Sequence, residues 1–297
     1  MNVRQLWLIN SKGDKYDLNS KQHFLYDPNG LGFQKGYSNQ RIGNSERITD
    51  EFFQMVDVNG EMLFIGANNE FNYQYYDEFI DFIKFKPLQL HYKTPNKVYG
   101  YYSDVVITSI QKGETSVDGI LHCPIVFHRS TQWKNDETTK LVFTNQIETG
   151  GKFYDYTYDY HYAGNSLSDM QPIVNNGTED CPMVFEIVCN DGDTVVNPLF
   201  TLFQNDVPYA KIKLTGTFSY VRINSDELNE SIYLEDEDGT PIANPMNTQD
   251  FASFDGETYF TFIKLKTGEN TGVFTCGNID TFDGVIKLSY EEKRASV

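Results

Sequence analysis

Turn punctuation constrains this chain more than any other feature. Asn-Gly begins at Asn29, Asn59 and Asn176, and Asp-Gly at Asp118, Asp191, Asp238, Asp255 and Asp283. Such dipeptides tolerate positive φ and close tight hairpins. Between them run short segments of alternating polarity, among them QLWLIN, MLFIG, LQLHYK, DVVITSI, ILHCPIVFH, MVFEIVC, AKIKLTG, TYFTFIKL and VIKLSY. Many short strands between tight turns predict a mostly β protein. The 20 Tyr and 22 Phe suit pleated, half-buried surfaces.

One stretch departs from period two. In NNEFNYQYYDEFIDFIKFKP, Phe71, Tyr75, Phe79, Phe82 and Ile83 recur at helical spacing. Asn68 or Asn69 can cap the start, and Lys84, Lys86 and Pro87 supply the end. One amphipathic helix over residues 69–85 is predicted, its aromatic stripe packed on a sheet.

The polar stretch NQIETGGK reads as a boundary. The chain divides near residue 148 into a first domain, 1–148, a sheet with one helix, and a second, 149–297, of two packed sheets. The second opens on FYDYTYDYHYAG, where Tyr154, Tyr156, Tyr158, Tyr160 and Tyr162 share one strand face. That face either packs inside a sandwich or stacks on sugar.

The sequence holds no recognisable catalytic, cofactor-binding or metal-ligating set. GNSLS lacks the second glycine of a nucleophile elbow. His122 and His128 share a strand face, but lie about 20 Å apart on a regular strand, too far to share a metal. The carboxylates of EDEDGT and CNDGDT lack the alternate spacing of a calcium loop and read as hairpin tips. Cys123, Cys181, Cys189 and Cys276 form no CxxC pair and read as free thiols. A net charge of −18 disfavours specific nucleic-acid binding. The N-terminal apolar run is too short for a signal peptide, and no run reaches the roughly 20 residues of a membrane span. No membrane insertion and synthesis in a cytoplasm are the expectation.

The stretch YDPNGLGFQKGY contains the GLGF of peptide-gripping loops and nearly the spacing of a dinucleotide loop. Its context suits neither. A dinucleotide loop should lead into a helix, and polar or β-like residues follow here. A PDZ-type domain would need two helices, and one is predicted.

The order of parts resembles the distal tail protein family of long-tailed, non-contractile bacteriophages. The residues carrying the resemblance are VRQLWLINSKGDKYDLN, LYDPNGLGFQKGY, FNYQYYDEFIDFIKF, LQLHYK, VYGYYSDVVITSIQKGE and ILHCPIVFHRSTQW, with FYDYTYDYHYAGN and the terminal DGVIKLSYEEKRASV in the second half. The resemblance implies an N-terminal tail-tube-like sheet or barrel with one helix, and a galectin-like C-terminal β-sandwich whose last strand can return to the first domain. It implies a non-enzymatic virion protein of the siphophage tail tip. There a homo-hexamer would form a ring around the DNA channel, with the tail tube protein above, the tail-tip hub below and a receptor-binding protein or adhesin at the periphery. Gly30, Leu31, Gly32 and Phe33 become candidates for assembly, the glycines supplying backbone freedom. Tyr154, Tyr156, Tyr158 and Tyr160 become a candidate binding face. A carbohydrate-binding module for host cell-wall saccharide is the alternative.

Overall fold

A computed structural model of the chain describes residues 4–42, 44–144, 171–245, 252–254, 257–259 and 262–297. The tyrosine stripe from Tyr154 to Tyr162, and GNSLS, lie outside them. The chain forms two compact units, Met1–Glu137 with Lys293–Val297, and Thr138–Glu292.

The first unit contains β1 (Gln5–Ile9), β2 (Lys15–Asp17), β3 (His23–Asn29), β4 (Gln34–Ile42), β5 (Ser45–Gln54), β6 (Val58–Phe64), α1 (Asn69–Ile83), β7 (Leu88–Lys93), β8 (Tyr101–Ile110), β9 (Leu121–Arg129) and β10 (Trp133–Asn135). Its main sheet runs β2-β1-β7-β8-β9-β6-β3, with β10 beside β8. The sheet is open. Its outer strands meet only around the isolated bridge Asn19↔Phe24, so the barrel alternative from the sequence does not hold. Period-two alternation sends Leu6, Leu8, Leu88, Leu90, Leu121, Ile125 and Phe127 into one core.

Helix α1 covers that core. Asn68 caps it, its side chain accepting from the Phe71 N–H at 3.1 Å. Phe79 is fully buried, with Tyr75, Phe82 and Ile83 packed around it. Phe71 is exposed, contrary to the predicted stripe, and Asn72 is buried in its place. The buried face thus runs Asn72, Tyr76, Phe79, Ile83, one position round from Phe71. Asn72 accepts from the Gly66 N–H and donates to the Gly119 carbonyl at 2.8 Å, so its amide ties the helix start to two loops.

The last strand, β25 (Lys293–Arg294), pairs with β10 in the first unit. The terminal residues therefore belong to the first fold by contact, and its division from the second falls at Glu137. The predicted boundary at 148 lay beyond this, because β11 (Thr139–Thr144) already pairs within the second unit.

The second unit adds β12 (Gln171–Asn175), β13 (Cys181–Cys189), β14 (Val195–Val196), β15 (Leu199–Gln204), β16 (Val207–Lys213), β17 (Thr217–Phe218), β18 (Tyr220–Asn224), β19 (Ser231–Glu235), β20 (Ala252–Phe254), β21 (Glu257–Tyr259), β22 (Lys264–Leu265), β23 (Gly268–Thr275) and β24 (Gly284–Tyr290). One sheet runs β11-β24-β13-β18-β19, the other β12-β23-β15-β16. Met183, Phe185, Ile187, Ile223 and Leu288 of the first meet Ile173, Phe200, Leu202, Ile212 and Phe274 of the second in one core. The rings of Phe185 and Phe200 lie 4.9 Å apart. This is a β-sandwich.

Candidate assembly surface

Strands β4 and β5 form a separate two-stranded sheet, Gln34↔Gln54 through Ile42↔Ser45, and pair with nothing else among the described residues. A lone two-stranded hairpin is marginal in water. This one nevertheless exposes a run of large apolar side chains: Phe33 at 59%, Tyr37 at 60%, Ile42, Ile48, Phe52 at 48% and Met55. Clustered exposed apolar groups mark interaction surfaces. Local contacts hold the arm in shape. Lys35 bridges to Glu51 at 2.9 Å, Asn39 donates to Glu46 at 2.8 Å, and Phe33 meets Phe53 edge-on at 5.5 Å.

The arm's root is built more firmly than its tip. Gly30 has φ +88°, and a Cβ there would sit 2.0 Å from the Asp57 carbonyl oxygen. Only glycine combines that conformation with that approach. Leu31 packs on the core, and its carbonyl accepts from the Val297 N–H at 3.2 Å. On the returning side, the buried Arg129 donates from Nε to the Val56 carbonyl at 2.7 Å. Its guanidinium lies 5.2 Å over the Trp133 ring. Burial pulls the Arg129 pKa below its usual value, with Asp57 opposing. His128 Nδ1 sits 2.8 Å from Asp57.

The four loop residues singled out in the sequence thus divide. Gly30 and Leu31 are built into the root, and Phe33 begins the exposed arm. Gly32 has neither a positive φ nor any atom within 4 Å of its would-be Cβ; the backbone freedom expected of it is not used. Sequence reasoning missed the arm itself, because strands exposed on both faces carry no alternation of burial.

The other motifs settle into structural roles. His122 pairs with Glu61 at 3.2 Å, apart from His128 and Asp57. In EDEDGT, Asp236 accepts from the N–H groups of Asp238 and Thr240 at 3.0 and 2.8 Å, an Asx-type turn. All four cysteines are free. Desolvation pushes the Cys189 thiol up to about 12 and Cys276 to about 11, values that suit inert packing groups.

Comparison with known proteins agrees with the sequence resemblance. Residues 5–130 match the family described as distal tail protein, N-terminal domain. Among solved structures, the chain is similar to a chain of the phage p2 baseplate in its activated conformation with calcium, at 17% identity, TM-score 0.55, covering 99% of this chain and 100% of that one. The strontium form of that baseplate gives 19% identity and TM-score 0.56 over 99% and 100%. The Dit protein (gp 19.1) of phage SPP1, described as a paradigm of the hub adsorption apparatus in phages infecting Gram-positive hosts, gives 12% identity and TM-score 0.61 over 97% and 98%. At these identities the likeness is one of fold, and it spans both units. Among curated proteins, none matches.

Proposed function

We propose that this chain, whose residues 5–130 match the distal tail protein N-terminal domain family, is a structural protein of the phage tail tip. In this reading six copies close into a ring that joins the tail tube protein above to the tail-tip hub below. The genome passes through the ring's channel, and a receptor-binding protein attaches at the periphery. The first unit forms the ring; the second, a sandwich read as galectin-like, serves attachment. No catalytic step is assigned to the chain.

The observation that carries the reading is the full-length fold likeness to baseplate and hub proteins, joined to the family match of the first unit. The β4–β5 arm supports self-association. A hairpin whose strands pair with no further strand among the described residues, and which exposes large apolar side chains, gains by adding to a neighbouring copy. The charge of −18 favours a channel wall to which DNA phosphates do not adhere.

Electron microscopy and light scattering on the purified chain test the proposal. Six-fold rings near six times 34.2 kDa are expected, alone or on mixing with the tail tube protein. A chain that stays monomeric in both conditions refutes it.

A further inference from the structure

The outward face of the second unit's larger sheet is ordered in rows fixed by strand register. One row runs Val142, Lys287, Glu186, Arg222, Tyr233 across β11, β24, β13, β18 and β19. The next runs Lys140, Ser289, Val184, Asn224, Ser231. An antiparallel sheet normally turns polar groups to water on one face. Three features here go further.

First, the polar groups hold one another in place. The Tyr220 hydroxyl donates to Glu186 at 2.7 Å, and Arg222 Nε stands 3.9 Å from the same carboxylate. The Tyr233 hydroxyl donates to Glu235 at 2.9 Å. Second, two aromatic rings lie among them. Tyr220 and Tyr233 meet edge-on at 5.8 Å, and Tyr233 is 44% exposed. Third, the middle of the second row, Ser289, Val184 and Asn224, lines an open depression of about 160 Å³, together with Thr138, Asp226 and Glu291 and the apolar Pro182, Met183 and Tyr290. Asn224 is oriented there by accepting from the Asp226 N–H at 3.0 Å.

We infer that this face binds a saccharide, the depression taking one sugar ring and the Tyr233–Arg222–Glu186 row the next. The chemistry selects the ligand class. Charges alternate along the row, so neither a polyanion nor a simple cation matches it. A sugar hydroxyl is donor and acceptor at once, and the face offers both within a few ångströms. The exposed tyrosine ring supplies an apolar surface for the C–H face of a pyranose. The shallow, open shape suits weak contact repeated over many copies.

This inference does not rest on ring formation and is tested separately. The full chain is titrated with two- to six-unit oligomers of glucose, galactose and N-acetylglucosamine, followed by saturation-transfer NMR and calorimetry. At least one series should bind. Arg222→Ala and Tyr233→Ala should each weaken it by about tenfold or more at unchanged melting temperature. Arg222→Lys should lose nearly as much, because it keeps the charge without the planar fork. Val207→Ala, an exposed change on the other sheet, should leave binding intact. Silence toward every oligomer at about 10 mM overturns the inference. So does binding that the face variants leave untouched. Particle size, read on the same samples, reports the ring proposal independently.

Discussion

Gly30→Ala isolates what the GLGF loop does. The substitution forces an L-residue to φ +88° and puts its Cβ 2.0 Å from the Asp57 carbonyl oxygen and 3.2 Å from the Val58 Cα. Both neighbours are backbone, so no side chain can swing away. The left-handed conformation costs about 1–2 kcal/mol and the crowding about 1–3 kcal/mol more, a total of about 2–5 kcal/mol. Gly32→Ala, two residues on, meets open space without a positive φ and should change stability by no more than about 0.5 kcal/mol. The chain provides its own reporter. Its two tryptophans, Trp7 and Trp133, both lie in the first unit, so their fluorescence follows that unit's unfolding alone. On that signal Gly30→Ala should lower the melting temperature by about 5–15 °C, and Gly32→Ala by about 2 °C or less. Equal shifts for the two variants, or none for Gly30→Ala, would refute the root geometry. Normal stability with a lost peptide or nucleotide ligand would restore the ligand-loop reading.

Ile48→Asp with Phe52→Asp, both on the exposed arm, should abolish rings while moving the melting temperature by only about 2–4 °C; intact rings by microscopy would remove the arm from assembly. Burial lowers the His91 pKa to about 4, where the ring stacks between Trp7 at 5.1 Å and Tyr102 at 5.4 Å, with Asp136 and Asp104 opposing and Lys15 reinforcing the shift. Because the unfolded chain takes up the proton first, this contribution of about 3 kcal/mol is complete above pH 6.5 and is lost as pH falls toward 4. His91→Phe should flatten that limb of first-unit stability, and an unchanged slope would show the titration belongs elsewhere. Phe185→Ala opens the core of the second unit and should cost about 3–5 kcal/mol by calorimetry, leaving the tryptophan transition in place.

Legibility followed burial. Where one face of a strand is buried, its residues alternate, and MVFEIVC and ILHCPIVFH could be read directly as β13 and β9. The helix was legible for the same reason, with its asparagine cap. Its register slipped at Phe71 because hydrophobicity favoured a phenylalanine over Asn72, whose burial depends on two distant backbone partners. Turn dipeptides were an uneven guide. Gly119, Gly192 and Gly239 do take positive φ. Asn59–Gly60 instead lies inside β6, where a Cβ would come within 2.8 Å of the Leu25 side chain. Asn29–Gly30 takes the positive φ and Asn59–Gly60 does not, so the same two letters serve different ends, and only the fold distinguishes them. Arg129 was visible only through the family-like FHRSTQW, since nothing local announces that an arginine will be buried beneath a neighbouring strand's root.

The return of the chain changes how the first unit can be handled. β25 lies against β10, Trp133 facing Arg294 in register, and the Arg294 guanidinium sits 5.6 Å over Tyr101. Ala295 is buried, and Val297 packs on the core and donates to the Leu31 carbonyl. A chain cut after residue 148 would lose all of these at once, exposing the edge beside a fully buried tryptophan and freeing one side of the arm's root. Failure of such a fragment to form rings would therefore say nothing about the intact first unit. The informative fragment joins residue 137 to residue 293 through a flexible linker. It keeps the terminal strand and removes only the sandwich, so that assembly and attachment can be assigned to separate units.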